Sequence, residues 1–376
     1  MNATRSADWR GSVALVLASS TGGVGRHVGS VVRGLVAAGC PVLVCGPAAT
    51  DALFGFTAAG ADFVPVEIPA SPGPQDSGVI RALRRAFGSR EIDVVHAHGL
   101  RAGFVAVLAR PAAPIVVTWH NAVLAKGLRG HASAVVERIV ARGAALTLGA
   151  SEDLVERARS LGAQQVRLGA VAAPTPAPPK RTRAQVRAEF RLAPGVPLIV
   201  SVGRLHPQKR YDVLIDAAAR WRKLTPAPVV VVAGSGPSYM ALAQRVSETR
   251  ARVFLLGYRA DVSDLLVGAD LAVVSSDWEA RQLFAQEALH AGVPLVATAV
   301  GGLPGLVGDA AVLVPPDDVD ALEAAVRTLL ADPQLRGDYA ARGPRQAARW
   351  PDEDDTVADV RAAYTTVTAD SRAGRG

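Results

Sequence analysis

Residues 13–25 read VALVLASSTGGVG, an apolar run that breaks into a turn rich in serine and glycine. The run has no alternation of apolar and polar residues, which is typical of a strand buried on both faces of a parallel sheet. A helical pattern follows the glycines and ends near Gly39. The stretch therefore predicts a strand, a glycine loop and a helix, the opening unit of an α/β fold.

The same alternation of short apolar runs and helical patterns continues along the chain. We predict strands at residues 13–18, 41–45, 63–68, 92–97, 115–119, 146–148, 166–168, 197–202, 228–233, 253–256, 271–275 and 296–298. We predict helices between them, among others at residues 79–89, 101–110, 211–223, 239–248, 262–267, 285–291, 319–331 and 355–366. Strands that alternate with helices indicate βαβ units and doubly wound parallel sheets.

A proline-rich segment divides the chain. Residues 173–179 read APTPAPP, and this density of proline prevents regular structure and stiffens the chain. We predict a first Rossmann-like domain at residues 1–174, a linker at 175–181 and a second Rossmann-like domain at 182–350; an ordinary surface loop is the alternative for the linker. Two such domains imply a central cleft, with ligands beyond the carboxyl ends of the strands.

Composition excludes several classes of protein. The chain has 376 residues, 49% of them hydrophobic and 5% aromatic, with a formal net charge of +7. A basic surface attracts phosphates or an anionic membrane, whereas the scarcity of rings argues against nucleic-acid binding by base stacking. The two cysteines, Cys40 and Cys45, flank a predicted strand and are expected to be buried thiols in a reducing compartment. We find no signal peptide or membrane span, and expect a cytoplasmic protein with at most peripheral contact with an anionic membrane.

A first chemical motif follows the predicted strand at 197–202. Residues 201–209 read SVGRLHPQK, so Arg204 comes directly after the strand and Lys209 stands five residues later, before a helix. Two cations at the carboxyl end of a strand, beside helix amides, form a suitable clamp for a diphosphate. The alternative is a pair of solvated surface cations.

A second motif follows the strand at 271–275. Glu279 lies in the loop after that strand, and Glu287 lies in the first turns of the next helix, with seven residues between them. Both carboxylates can face one cleft and accept hydrogen bonds from sugar or ribose hydroxyls. In the alternative interpretation, Glu287 stabilises the helix N-terminus.

Together with Gly22-Gly23 and the stretch 300–304, VGGLP, these motifs resemble the retaining family-four glycosyltransferases of the GT-B fold. The resemblance covers nearly the whole chain, and the C-terminal half is its specific part. It implies that Arg204 and Lys209 hold the donor diphosphate and neutralise the leaving group. It further implies that Glu279 contacts the transferred sugar, that Glu287 binds the ribose, and that His120 points at the donor sugar from the first domain.

The resemblance also implies a wider donor site. Gly257 and Tyr258 lie where the family's loop touches the nucleobase. The main chain after Glu279 would line the sugar and phosphate pocket. The donor-binding residues of this second segment are then Arg281, Gln282 and Leu283. Gly22 and Gly23 resemble the family's loop at a helix N-terminus, where phosphate or acceptor approaches the backbone. Finally, Trp350-Pro351 resembles the start of a returning helix, so that residues from about 352 to 376 should pack on the first domain.

The chain departs from the family pattern at two places. Family members commonly read Glu-Gly-Phe-Gly where this chain has Glu279-Ala280-Arg281-Gln282. Arg281 brings a charge that could bind phosphate, an acidic sugar or the acceptor, or could simply face solvent. Near the second glycine pair, Gly301-Gly302, the family has a glutamate where this chain has Gly305.

The acceptor side is less specific. We expect His96 and His98 to lie on opposite faces of their strand; His98 is a candidate for the cleft, with a structural role as the alternative. Arg81, Arg84 and Arg85 lie on a predicted helix whose apolar stripe is Ile80, Leu83 and Phe87. Such a helix could contact an anionic lipid surface, although a core helix with a solvated basic face is the simpler interpretation.

The sequence thus indicates a metal-independent, retaining transferase that moves a hexose-type sugar from a nucleoside-diphosphate sugar to a hydroxyl of a glycan, lipid or small metabolite. We expect no cofactor and no metal site. A GT-B nucleotide-sugar epimerase, a phosphorylase and a non-catalytic nucleotide-sugar-binding partner are the alternatives. A dinucleotide-dependent oxidoreductase is disfavoured, because Gly22-Gly23-x-Gly25 lacks the required spacing and Cys45-Gly46 stands where an acidic residue should end the second strand.

Overall fold

The computed structural model describes residues 9–20, 22–123, 127–172 and 176–373. These residues form two compact units. Unit 1 consists of the described residues before 173 together with those after 350, and unit 2 consists of residues 176–350.

Unit 1 is built from alternating strands and helices. Its elements up to residue 172 are β1 (Val13–Leu17), α1 (Gly23–Ala37), β2 (Val42–Gly46), α2 (Ala48–Phe54), β3 (Asp62–Pro65), α3 (Asp76–Gly88), β4 (Val94–His98), α4 (Leu100–Ala109), β5 (Ile115–Trp119), α5 (Gly127–Gly143), β6 (Leu146–Gly149), α6 (Glu152–Ser160) and β7 (Val166–Leu168). The strands form one seven-stranded sheet in the order β3-β2-β1-β4-β5-β6-β7. Every neighbouring pair is parallel.

Unit 2 repeats this plan with one strand fewer. Its elements are α7 (Arg183–Glu189), β8 (Leu198–Val202), a 3-10 turn (Pro207–Lys209), α8 (Tyr211–Trp221), β9 (Val229–Ala233), α9 (Tyr239–Thr249), β10 (Val253–Gly257), α10 (Val262–Gly268), β11 (Leu271–Val274), α11 (Leu283–His290), β12 (Leu295–Thr298), α12 (Leu303–Val307), β13 (Ala311–Val314), α13 (Val319–Ala331) and α14 (Pro333–Ala347). Six parallel strands lie in the order β10-β9-β8-β11-β12-β13.

Hydrophobic burial on both faces of each sheet explains the unalternated strands. Alternate residues of β8 belong to different core clusters: Leu198 and Val200 pack in one, and Ile199 packs in the other. Because adjacent side chains of a strand point to opposite faces, both faces must be apolar. The predicted fold class, two parallel-sheet Rossmann-like domains, is confirmed.

The last helix, α15 (Glu353–Ala373), belongs to unit 1. Val360, Ala363 and Val367 are buried in the cluster that also holds residues of β1 and α1. The hydroxyl of Tyr364 lies 2.7 Å from Nδ1 of His96 on β4. The side chains of α15 therefore complete the core on one face of the first sheet.

Some elements differ from the prediction. The sequence pattern missed α2, α7, α12, β13 and α14; in α14, Pro344 and two glycines conceal the helical pattern. Residues 173–175 of the predicted proline-rich segment lie outside the described residues, and the amides of Lys180 and Arg181 donate to Asp264 of unit 2. Cys40 and Cys45 are buried free thiols. Among the described helices, none is long and apolar enough to span a bilayer.

Candidate active site

Strand order shows where each unit can bind a ligand. In unit 1 the order reverses between β1 and β4, and in unit 2 it reverses between β8 and β11. Loops that leave the carboxyl ends of two such strands diverge to opposite faces and leave a crevice. Arg204 follows β8 and Glu279 follows β11, so the two predicted motifs flank the crevice of unit 2.

The segment after β8 is held against the segment after β9. The amide of Gly203 donates to the carbonyl of Ala233 over 3.0 Å, and that of Leu205 donates to Ser235 over 2.9 Å. A Cβ on Gly234 would lie 1.9 Å from the carbonyl oxygen of Gly203, so only glycine permits this approach. The segment leaves the side chain of Arg204 exposed at the end of β8.

Lys209 and Glu279 form an ion pair. The ammonium Nζ of Lys209 lies 2.5 Å from Oε1 of Glu279, and the hydroxyl of Ser276 donates to the same oxygen over 2.6 Å. Glu279 is buried and Lys209 is half-buried. The two residues are separated by 70 positions in the sequence, and folding brings them together at the carboxyl edge of the second sheet.

Further hydrogen bonds join the two loops around this pair. The side chain of Gln208 donates to the carbonyl of Trp278 over 2.6 Å, and the amide of Asp277 donates to the carbonyl of Gln208 over 2.8 Å. The hydroxyl of Ser275 donates to the carbonyl of Lys209 over 2.9 Å. These contacts fix the position of Lys209 relative to Glu279.

The loop that follows β12 supports Glu279 from another side. The amide of Gly302 donates to the carbonyl of Glu279 over 2.8 Å. Gly301 has a left-handed φ of 51°, and a Cβ at this position would lie 2.2 Å from the same carbonyl oxygen. The first glycine of the pair, Gly301, is therefore required by the packing of the Glu279 loop.

Helix α11 carries the second glutamate. The side-chain oxygen of Gln282 accepts hydrogen bonds from the amides of Phe284 and Ala285, so Gln282 is the N-cap of the helix. Leu283 and Glu287 are half-buried in the first turns of α11. Because the side chain of Gln282 caps the helix, only the main chain of Gln282 is left for its predicted role in donor binding.

Arg281 precedes the cap on the same loop. Its side chain is half-buried, and its Nε and Nη2 atoms are buried with no hydrogen-bond partner. Burial lowers the pKa of its guanidinium to about 10, which leaves the group charged at neutral pH. The alternative of a solvent-facing cation does not fit these two buried nitrogens.

The predicted nucleobase loop lies at the end of β10. Gly257 has a φ of 72°, and its carbonyl accepts from the amide of Gly234 over 2.7 Å. The side chain of Tyr258 is 75% exposed, although large aromatic side chains are usually buried in a core. An exposed ring beside the carboxyl end of the sheet is available for stacking on a base.

In unit 1, the glycine loop leads into α1. Gly22 is the N-cap of the helix and Gly23 is its first residue. A Cβ on Gly25 would lie 2.1 Å from the ring of Phe54, so this third glycine serves the packing of α1 against α2. The space around Gly22 is open, with no atom within 4 Å of a Cβ built there.

Four histidines gather at the carboxyl edge of the first sheet. The rings of His98 and His120 are 5.6 Å apart, that of His27 lies 5.5 and 5.2 Å from them, and the rings of His96 and His98 are 4.1 Å apart. The prediction that His96 and His98 lie on opposite faces is therefore wrong, because residues i and i+2 of a strand point to the same face. The sequence interpretation missed His27, which sits one helical turn after the glycine loop.

Burial keeps the imidazoles of His96, His98 and His120 neutral. It lowers the pKa of His96 to about 3 and, with the neighbouring histidines, holds the pKa values of His98 and His120 well below their usual range. His96 is bonded to Tyr364 and, over 2.7 Å, to the hydroxyl of Thr118. His98 Nδ1 lies 3.3 Å from His120 Nε2, whereas the buried Nε2 of His98 has no partner among the described residues.

The histidine cluster is also the part of the described chain that could hold a metal. Ligand nitrogens of His27, His98 and His120 all lie within 4.8 Å of one another. Neutral imidazoles are ligands for zinc and related divalent ions. The expectation that the chain has no metal site stays a prediction.

The basic helix α3 packs by its apolar face. Val79, Leu83 and Phe87 are buried, whereas Ile80 of the predicted stripe is only half-buried. Arg84 donates from Nε and Nη2 to the carbonyls of Ala109 and Leu108 at the end of α4, over 3.1 Å in each case. Its guanidinium thus has a structural partner. Arg81 and Arg85 are exposed, and their contact with a membrane stays a prediction.

Comparison with known proteins identifies the family. The family models described as Glycosyl transferases group 1 and Glycosyl transferase 4-like domain match residues 182–346 and 22–174. A D-inositol 3-phosphate glycosyltransferase of Salinispora arenicola is 35% identical, over 81% of this chain and 75% of that relative. One from Salinispora tropica is 36% identical, over 81% of this chain and 70% of that relative. The chain belongs to the group 1 glycosyltransferases.

Solved structures agree on the fold of this glycosyltransferase. Anabaena HepE in complex with UDP superposes with a TM-score of 0.77 at 20% identity, covering 94% of this chain and all of that one (100%). Sucrose-phosphate synthase from Thermosynechococcus elongatus gives 0.74 at 20% identity, covering 96% and 100%. The predicted membership of the family-four type and the GT-B fold class are confirmed. The roles assigned to individual residues of the glycosyltransferase stay predictions.

Proposed function

We propose that this glycosyltransferase is a retaining, metal-independent enzyme that moves a hexose-type sugar from a nucleoside-diphosphate sugar to a hydroxyl acceptor. The observation that carries the proposal is the ion pair of Lys209 and Glu279, with Arg204 exposed after β8, where the strand order of unit 2 reverses. The pair supports the proposal because an ammonium is suited to a leaving diphosphate and a carboxylate beside it is suited to sugar hydroxyls, so that the proposed mechanism needs no metal ion.

In this mechanism the cations act on the leaving group. As the bond from the sugar to the diphosphate breaks, positive charge grows on the sugar and negative charge grows on the departing phosphate. Lys209 and Arg204 stabilise the phosphate charge, and they do so most strongly in the transition state because they are already in position. Glu279 keeps Lys209 in place and accepts hydrogen bonds from the sugar, while Glu287 binds the ribose.

The histidines of unit 1 serve the sugar and the acceptor. His120 follows β5 and His98 ends β4, so both lie at the carboxyl edge of the first sheet. Their neutral rings can donate or accept hydrogen bonds with hydroxyls without bringing a charge to the reacting sugar. The unpartnered Nε2 of His98 is a free site for such a bond.

The relatives suggest the first substrates to assay. The two Salinispora relatives are named for D-inositol 3-phosphate, and one structural neighbour was solved with UDP and glucose. We therefore infer a nucleotide-sugar donor, with UDP-sugars first among those to test, and a small polyol phosphate as the first acceptor. A lipid or glycan acceptor remains within the proposal.

The test begins with a thermal-shift screen of nucleoside diphosphates and their sugars, since a ligand that binds only the folded state raises Tm. The ligand found is then assayed for transfer to inositol 3-phosphate and other polyols, with and without a chelator. NMR of the product gives the configuration at the transferred carbon. Binding without transfer to any acceptor would favour a non-catalytic partner; an inverted product or complete loss of turnover in the chelator would contradict the mechanism.

A further inference from the structure

Arg281 carries a charge that the folded chain does not balance. Its Nε and Nη2 atoms are both buried and have no hydrogen-bond partner among the described residues. A buried guanidinium without a partner is strongly unfavourable, and an unsatisfied group of this kind in a native structure calls for a specific cause.

Other partly buried arginines of unit 2 are paired. Arg181 lies 3.1 Å from Asp264, Arg187 lies 2.9 Å from Asp270, and Arg210 lies 3.1 Å from Asp212. Hydrogen bonds to Asp212 and Asp317 raise the pKa of Arg210, whereas burial alone lowers that of Arg281. Each of these arginines has an acidic partner, and Arg281 differs from them at the candidate site.

The position of Arg281 is fixed from both sides. Two residues before it, Glu279 is bound by Lys209, Ser276 and the amide of Gly302. One residue after it, Gln282 caps α11. A side chain on such a rigid loop is held ready for a ligand, and the adjacent helix N-terminus also favours a negative charge.

Charge balance indicates what that ligand supplies. The ammonium of Lys209 is paired with Glu279, so its charge is divided between that carboxylate and the phosphate that it stabilises in the proposed function. The diphosphate of a nucleotide sugar carries a negative charge on each phosphate, and Arg204 together with the partly neutralised Lys209 would not balance both. A further cation at this edge of the sheet is needed, and the guanidinium of Arg281 is unpaired.

We propose that Arg281 binds an oxyanion of the donor, so that the bound nucleotide sugar supplies the partner that the guanidinium lacks. The inference rests on the proposed function, because it places the donor at this edge of the second sheet. The oxyanion is either a phosphate oxygen of the diphosphate or a carboxylate on a transferred hexuronic acid, since a guanidinium pairs with both in the same geometry.

The test is calorimetric titration of the full chain and its Arg281→Gln variant with UDP, UDP-glucose and UDP-glucuronic acid. If the oxyanion is a phosphate, all three affinities fall by about tenfold or more. If it is a sugar carboxylate, only the affinity for UDP-glucuronic acid falls by that factor. Arg281→Lys keeps the charge but loses the planar, bidentate geometry of the guanidinium, so this variant should recover part of the lost affinity.

Stability separates ligand binding from a structural role. Arg281→Gln removes an unbalanced charge, so the Tm without ligand should stay unchanged or rise. The matched control is Arg187→Gln, which removes one of the two arginines bound to Asp270 and should lower Tm while the three affinities stay unchanged.

Two results would overturn the inference. If Arg281→Gln binds all three ligands within twofold of the wild type while the wild type binds and turns over a nucleotide sugar, the inference fails and the proposed function stands. If the wild type binds none of the nucleoside diphosphates in the screen, the inference and the proposed function fail together.

Discussion

Lys209 is one of four lysines in the chain, and its ammonium is held 2.5 Å from the carboxylate of Glu279. Arginine dominates elsewhere on the surface, where it forms most of the ion pairs. A lysine is a compact point charge, which suits a phosphate that moves away during the reaction. The hydroxyl of Ser276 also holds this carboxylate, because it donates to the same oxygen that Lys209 contacts.

We predict that Lys209→Ala lowers kcat/KM by about 100-fold or more, because stabilisation of the leaving phosphate is lost in the transition state. Steady-state kinetics with the donor found in the screen would measure the change. Lys223→Ala is the matched control, since that lysine is exposed and follows the end of α8. Wild-type turnover by Lys209→Ala would refute the role of the lysine.

The histidine cluster predicts how the stability of unit 1 changes with pH. His96 is neutral in the folded state down to a pKa of about 3, whereas in the unfolded state it takes up a proton below about pH 6.5. The unfolded state therefore binds more protons between these values, and stability falls as the pH drops through this window.

For His96 alone the loss is about 1.4 kcal/mol per pH unit below 6.5, and His98 and His120 change stability in the same direction. Urea unfolding at pH 7 and pH 5 would measure it. The variant His96→Gln should show a shallower dependence, and replacement of the exposed His131 should leave it unchanged. A wild-type stability that is equal at both pH values would contradict the prediction.

The loop between β12 and α12 shows how one element supports another. It has no predicted contact with the ligand, yet the amide of Gly302 donates to the carbonyl of Glu279. This main-chain contact helps to hold the loop that carries Glu279 in one position.

We therefore predict that Gly301→Ala lowers both Tm and kcat/KM, because the new Cβ would lie 2.2 Å from the carbonyl of Glu279 on a backbone that favours glycine. The displacement should cost tenfold or more in rate. Gly305→Ala in α12 is the matched control: the space around it is empty, and alanine favours a helix. Equal kinetics for the two variants would contradict this view of the loop.

The path of the whole chain makes unit 1 depend on its last residues. The chain leaves unit 1, builds all of unit 2, and returns to unit 1 at Pro351. Tyr364 of α15 is fully buried and bonded to His96. The core of unit 1 is therefore incomplete until the end of the chain has folded.

We predict that a chain ending at Trp350 loses the folded unit 1 and keeps unit 2. Limited proteolysis should then leave a protected fragment that covers residues 176–350. The milder variant Tyr364→Phe keeps the shape of the ring but leaves His96 without its Nδ1 partner, which should cost about 1–3 kcal/mol of stability. An intact, protease-resistant unit 1 in the truncated chain would contradict the prediction.

Local signals were sufficient for most of the architecture. Unalternated apolar runs, glycine at strand ends and helical spacing depend on a few adjacent residues, and they predicted the parallel sheets and the loops that carry Arg204, Lys209, Glu279 and Glu287. Local signals failed where local preferences are mixed, as in α14 with its internal proline. The prediction for His96 and His98 was wrong because residues i and i+2 of a strand point to the same face.

The amino-acid sequence was enough to predict the fold class and the family, which are confirmed, and to select candidate residues for the site, because hydrophobic periodicity and motif spacing are properties of short segments. The pairing of Lys209 with Glu279, the gathering of His27 with His98 and His120, and the isolation of the Arg281 guanidinium became visible in the folded molecule. Such features depend on which distant side chains fill the space around a group, and strand order and packing set those neighbours.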